Sequence, residues 1–184
     1  LARKVSEQAE VMKDSITLYL DRARMAARVG AIGRVTDVAE VTEPLARALE
    51  RINRDRGITI STDVQEGARF QGERHDLEEM LGNLLDNACK WARSKVFLTV
   101  RTVRPTQKGG PGQIEVTVED DGPGLSEMQR KKLGKRGLRL DESKPGSGLG
   151  LSIVTDFVQM YRGELALDAS THGGLRAVLR LPGA

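Results

Sequence analysis

The sequence predicts an α/β two-layer sandwich, a mixed sheet covered by helices on one face, preceded by one long helix. Three observations carry this. Apolar residues near the start of the chain follow a heptad seam. Segments with strand-like alternation and helix-like spacing then succeed one another. Two strand patterns close the chain around Gly173-Gly174. The 184 residues suit one domain plus an appendage.

The seam is Val5, Ala9, Met12, Ile16, Tyr19, Ala23 and Ala26, spaced alternately four and three. A lone helix cannot bury such a stripe, so residues 1–33 are expected to belong to a helical bundle. A helix lying on the chain's own core is the alternative. "VGAIG" (29–33) ends the pattern, and residues 34–184 form the second unit.

Residues 34–38 can form a short strand. Residues 43–57 read as a helix with Pro44 in its first turn and Gly57 as its stop. Residues 58–64 alternate as a strand. Residues 76–92 read as a helix, with Leu77, Met80, Leu81, Leu84, Leu85 and Ala88 on one side. Residues 95–103 and 113–120 are strands joined by a Pro/Gly-rich connection. A long irregular stretch covers 121–146, and such inserts are usually functional. A helix follows "GSGLG", and residues 164–170 and 175–182 are the closing strands.

With 29 basic and 26 acidic side chains, the net charge of +3 gives no argument for nucleic-acid or membrane binding. The single cysteine, Cys89, excludes an internal disulfide and suits a reducing compartment. No stretch has the apolar length of a transmembrane helix.

Three short stretches carry chemistry. Asn83, Asn87 and Lys90 share the face of their helix opposite the leucine stripe. Two carboxamide oxygens suit Mg²⁺ and a lysine suits a phosphate; a plain solvated face is the alternative. In "EDDGPGL" (119–125), Gly122 and Gly124 permit a tight turn, and Asp121 could accept a hydrogen bond from an exocyclic amine. An ordinary acidic turn is the alternative. "GSGLGL" (146–151) places Gly146, Gly148 and Gly150 at a helix start, where unpaired N–H groups attract anions. A flexible loop entering a helix would also account for it.

Taken together and in this order, "LGNLLDNACKWA", "VEDDGPGL", "PGSGLGLSIV" and "GGLRAVLRLP" resemble the N, G1 and G2 boxes and the closing strand of sensor histidine kinases. The resemblance is strongest to the PhoQ type and spans essentially the whole chain. It implies the Bergerat-type ATP-binding fold, shared with type II topoisomerases and heat-shock chaperone ATPases. It also implies ATP and Mg²⁺ as cofactors, with the heptad helix as the second helix of a dimerisation and phosphotransfer hairpin. The partners it implies are a response regulator and, through that hairpin, a second copy of the chain. It implies a cytoplasmic domain of a membrane-anchored bacterial sensor, itself not inserted in the membrane.

By the same resemblance, Asn87 is the Mg²⁺ ligand, assisted by Asn83, and Lys90 faces the phosphates. Asp121 reads adenine in a pocket shaped by Gly122 and Gly124 and lined by Trp91. Gly146, Ser147, Gly148, Leu149 and Gly150 hinge a lid and bring N–H groups to the phosphates. Of the lid cations, Arg136 and Lys144 are the expected phosphate contacts, and Asn83, Lys90 and Arg136 the groups assigned to catalysis.

The chain departs from the pattern in three places. Gly134 stands where a lid aromatic is common, and Leu175 where a threonine often follows the Gly-Gly. The only histidines, His75 and His172, lie off the heptad helix and outside an H-E/D context, so the phosphoacceptor is expected upstream of residue 1. Superfamily ATPases carry Glu at the first N-box position; here Asn83 offers no base to activate water. Phosphoryl transfer is therefore expected over hydrolysis, with an ATPase or a non-catalytic nucleotide-binding domain as alternatives.

Overall fold

The computed structural model describes residues 34–103, 112–132 and 150–184. The heptad helix of 1–33, Arg136, Lys144 and residues 146–149 lie outside the described residues. Five strands form the main sheet: β2 (Thr59–Val64), β4 (Lys95–Val103), β5 (Gln113–Asp120), β6 (Glu164–Ala169) and β7 (Leu175–Pro182). Their order is β2-β4-β5-β7-β6. β2 and β4 are parallel; the other neighbours are antiparallel, so the sheet is mixed as expected. A separate pair joins β1 (Thr36–Asp37) to β3 (Arg69–Phe70).

Four helices accompany the sheet: α1 (Ala39–Ile52), α2 (Arg74–Trp91), α3 (Glu127–Lys132) and α4 (Gly150–Met160). α2 connects the parallel strands β2 and β4, which need a crossover because a hairpin cannot join them. The core lies between the helices and one sheet face. Val96, Leu98 and Val100 of β4, Ile114, Val116 and Val118 of β5, and Ala177, Leu179 and Leu181 of β7 alternate onto that face. They meet Leu77, Met80, Leu81, Leu84, Leu85 and Ala88 of α2 and Val154, Phe157 and Val158 of α4.

The other face carries charge. Arg180 pairs with Glu115 at 2.9 Å and Glu164 at 3.3 Å, and Arg101 pairs with Asp63.

Several boundaries differ from the sequence reading by a residue or two, among them β1, β2, α2 and β6, and β3 was not expected. Three larger differences have an identifiable cause. α1 starts four residues earlier, at Ala39, because the Asp37 carboxylate accepts the Ala39 N–H at 3.0 Å and opens the helix there. Pro44 therefore sits inside α1, not in its first turn. Proline cannot donate to the carbonyl four residues back, which is Glu40. The Arg74 guanidinium donates to that carbonyl instead, at 3.1 Å.

α1 stops at Ile52, and a 3₁₀ turn (Arg54–Arg56) follows before Gly57, whose left-handed φ of 67° ends the segment. Within 121–146, the described part is not wholly irregular: Glu127–Lys132 form α3, and Ser126 Oγ accepts the Gln129 N–H at 3.3 Å.

Candidate nucleotide site

Three loci converge beside α2: its own polar face, the end of β5, and the start of α4. The Asn83 carboxamide donates through Nδ2 to the Glu79 carbonyl at 2.8 Å, which fixes its orientation. Its Oδ1 then lies against Gly150. A Cβ on that glycine would stand 2.9 Å from the oxygen. The N-box helix and the glycine-opened helix are thus in contact at the positions that the sequence singled out. Asn87, one turn further on, is half-buried, and its side chain makes no hydrogen bond among the described residues. Lys90 forms an ion pair with Asp86 at 2.6 Å, one helical turn back. Asn83, Asn87 and Lys90 are thus all half-buried, and the first of them packs against the start of α4.

The end of β5 differs from the expectation. Asp121 does not stand open for a ligand. Its Oδ1 accepts the Arg93 N–H at 2.8 Å and the Ser94 N–H at 3.0 Å, and its Oδ2 accepts the Ser94 hydroxyl at 2.9 Å. Partial burial pushes its pKa up, but these bonds outweigh that and hold it at about 2. The carboxylate facing the opposite way belongs to Asp120, which is 2% exposed. Asp120 accepts the Gly122 N–H at 2.8 Å and the Leu175 N–H at 3.2 Å. Its own carbonyl accepts the Gly174 N–H at 3.1 Å. Asp120 is the last residue of β5 and Asp121 the first beyond it, and the two carboxylates hold different sets of donors.

The glycines of this region allow backbones to approach each other. A Cβ on Gly122 would collide with the Trp91 carbonyl oxygen. Gly124 has φ 69°, and a Cβ there would lie 2.8 Å from the Gly173 carbonyl. A Cβ on Gly174 would strike Asp120. The end of α2, the end of β5 and the 173–175 turn therefore form one tightly packed corner. Trp91 is half-buried at that corner.

Sequence reasoning missed Asp120 and the Gly174 and Leu175 amides. The signal was available: Ile114, Val116, Val118 and Asp120 are in phase, and carrying the β5 alternation to its end selects Asp120 over Asp121. The departure at Leu175 matters less than its side chain suggests, since its backbone N–H makes the contact.

The histidines lie apart from this corner's hydrogen bonds. His75 is exposed at the first turn of α2. His172 is exposed in the closing turn, but it is not merely a solvated side chain. Its ring stacks on Phe97 at 3.9 Å, with 17° between the planes, and the His172 backbone N–H donates to Ser170 Oγ.

Two further contacts set the helices. The Tyr161 hydroxyl, just past α4, donates to Asp76 of α2 at 2.6 Å and accepts the Glu73 N–H at 3.2 Å. Burial and the Asp76 bond raise the phenol pKa. Arg56 donates to the carbonyls of Cys89 at 2.8 Å and Lys90 at 3.2 Å, satisfying the C-terminal end of α2. Cys89 is fully buried, and that burial pushes its thiol to about 11.

Residues 72–184 match the family model described as histidine kinase-, DNA gyrase B-, and HSP90-like ATPase. The chain belongs to this family. Its relatives include the sensor protein kinase CarS of Pseudomonas aeruginosa, 40% identical over 99% of this chain and 39% of that protein. The sensor protein PhoQ of Escherichia coli is 32% identical over 92% of this chain and 34% of its own length. Among solved structures, the mycobacterial sensor histidine kinase MprB superposes with a TM-score of 0.64 at 33% identity, covering 82% of this chain and 97% of that one. The chain spans about two fifths or less of the curated relatives it matches. The mixed sheet with helices on one face is the Bergerat-type arrangement expected of this family.

Proposed function

We propose that this chain is the ATP-binding catalytic part of a sensor histidine kinase, transferring the γ-phosphoryl of ATP to a histidine supplied from outside these 184 residues. The phosphohistidine would then serve an aspartate of a response regulator. The observation that carries the reading is the contact of Asn83 Oδ1 with Gly150, which joins the carboxamide face of α2 to the glycine-opened start of α4. In this reading residues 1–33 supply the second helix of a dimerising hairpin, and the chain is the cytoplasmic part of a membrane-anchored bacterial sensor. No helix among the described residues is long and apolar enough to cross a membrane.

Adenine is read by Asp120, not Asp121. Its buried carboxylate is oriented by the Gly122 and Leu175 N–H groups, and a carboxylate so oriented can accept from an exocyclic amine. Trp91 and the glycines at 122, 124 and 174 wall that corner.

The donor set fits a hard divalent cation. Among the described residues no cluster of three His, Cys, Asp or Glu side chains is poised for a metal. Mg²⁺ would be held by Asn87 and Asn83 oxygens together with phosphate and water, as its preference for oxygen and retained waters favours. Bound there, it would neutralise phosphate charge. In this reading Lys90 leaves Asp86 to meet the phosphates, and Arg136 and Lys144, which lie outside the described residues, would add further positive charge. None of these groups is a base aimed at water, so the chain positions and neutralises, which is what phosphoryl transfer chiefly requires.

The test is label transfer from γ-labelled ATP to a separate helical hairpin bearing an acceptor histidine. Acid-labile, base-stable label on the hairpin is expected, with none on this chain alone. Label on the isolated chain would make His75 or His172 an acceptor and overturn the assignment. Rapid phosphate release without an acceptor would favour the ATPase alternative.

A further inference from the structure

We propose that Asp121 is a positioning residue, whose carboxylate fastens the turn after α2 to the end of β5 and so fixes Trp91 at the edge of the nucleotide site. Only the nucleotide arm of its test rests on the functional reading above.

α2 ends at Trp91, and Ala92 leaves the helix with φ −54° and ψ 146°. That departure leaves the N–H groups of Arg93 and Ser94 without helical acceptors. Asp121 takes both, and adds the Ser94 hydroxyl. Its own N–H donates to the Lys95 carbonyl at 3.1 Å, so side chain and backbone grip the same turn. On the other side of the helix end, Arg56 holds the Cys89 and Lys90 carbonyls. The consequence reaches the site through Gly122, next in sequence, whose Cα packs so closely on the Trp91 carbonyl that a Cβ has no room. Asp120, Asp121 and Gly122 thus tie three pieces together: the 173–175 turn, the 93–94 turn and the end of α2. The two adjacent carboxylates divide the work, with the buried one holding the Gly122 and Leu175 amides and the other the 93–94 turn.

The sequence contains one tryptophan and two tyrosines, so emission excited at the red edge, where tyrosine hardly absorbs, reports on Trp91 alone. The experiment compares the parent chain with Asp121→Ala, Asp121→Asn and Asp120→Asn, reading emission, acrylamide quenching and affinities for ATP and GTP. Asp121→Ala is expected to red-shift the emission and raise its quenching without nucleotide. Asp121→Asn, whose amide oxygen still accepts from Arg93 and Ser94, is expected to restore the parental spectrum. Asp121→Ala should weaken ATP and GTP by the same factor, about threefold or more, whereas Asp120→Asn should change their ratio.

A parental spectrum and parental quenching in Asp121→Ala overturn the proposal. So does a change in ATP/GTP preference as large as that of Asp120→Asn, which would return Asp121 to adenine reading. If Asp121→Ala does not fold, Ser94→Ala, which removes one of the three donors, must show a smaller shift in the same direction; a parental spectrum there refutes the proposal. A parent that binds neither nucleotide defeats the functional reading, while the emission arm still decides the role of Asp121.

Discussion

Replacing Tyr161 with Phe deletes one oxygen and leaves the ring, whose centroid sits 4.8 Å from that of Phe70 in an edge contact. The lost hydroxyl donates to the Asp76 carboxylate at 2.6 Å and accepts the Glu73 N–H at 3.2 Å. Asp76 is 2% exposed, so water does not readily take the place of the hydroxyl. A hydrogen bond to a charged group contributes about 1.5–3 kcal/mol, and leaving an N–H without its acceptor costs about 1 kcal/mol. Asp76 has a further interaction that survives the substitution, which favours the lower part of the range, about 2–3 kcal/mol. For a chain of this size each kcal/mol moves Tm by about 2–4 °C, so a fall of about 4–12 °C is expected by calorimetry.

The pH dependence has a definite sign. The folded-state phenol pKa lies above its ordinary value of 10.0, first through burial and then through the Asp76 bond. Its stabilisation is therefore complete below pH 10 and declines as pH rises beyond it. Parent and variant should converge in alkali. A Tm within about 1 °C of the parent at neutral pH, less than the shift that even one kcal/mol would cause, would refute the clamp. A difference that persists undiminished above pH 10 would show that the hydroxyl is not its source.

Gly150→Ala should lower nucleotide affinity by about tenfold, because its Cβ would stand 2.9 Å from Asn83 Oδ1 and push the carboxamide aside. Thermal stability should hold, since alanine is the better helix former; titration calorimetry beside a melting curve checks both. Asn87→Ala should make nucleotide affinity insensitive to added Mg²⁺, measured with and without a chelator; an unchanged Mg²⁺ dependence would remove Asn87 from the metal. Cys89, fully buried with its thiol pushed to about 11, should resist a thiol reagent in the native state and react at once in denaturant.

The elements that were legible in the sequence are those whose pattern and packing agree. β4, β5 and β7 begin and end where their alternation does, because each has one face on the core and a clear turn at either end. α2 was legible from its leucine stripe, and its polar face from the spacing of Asn83, Asn87 and Lys90. What escaped depends on partners distant in sequence. The start of α1 is set partly by Asp37, but the tolerance of Pro44 comes from Arg74, far along the chain, which no local signal announces. β3 is two residues long and exists through its pairing with β1 and a bridge from Phe70 to Gly183.

The choice between Asp120 and Asp121 is the instructive case. Both are acidic, adjacent and at a strand end, and a motif spelled as residue types does not separate them. Phase does. The strand's period of two carries the core phase of Ile114, Val116 and Val118 to Asp120, the last residue of β5, whereas Asp121 lies beyond the strand and takes its donors from the 93–94 turn. The tight Gly122 turn then requires both. Without the Asp120 carboxylate the Gly122 and Leu175 amides lose their acceptor, and without that of Asp121 the 93–94 amides lose theirs. A pair of aspartates at this corner is therefore two separate solutions to buried or half-buried N–H groups, and under the proposed function it is the buried one that a nucleobase would meet.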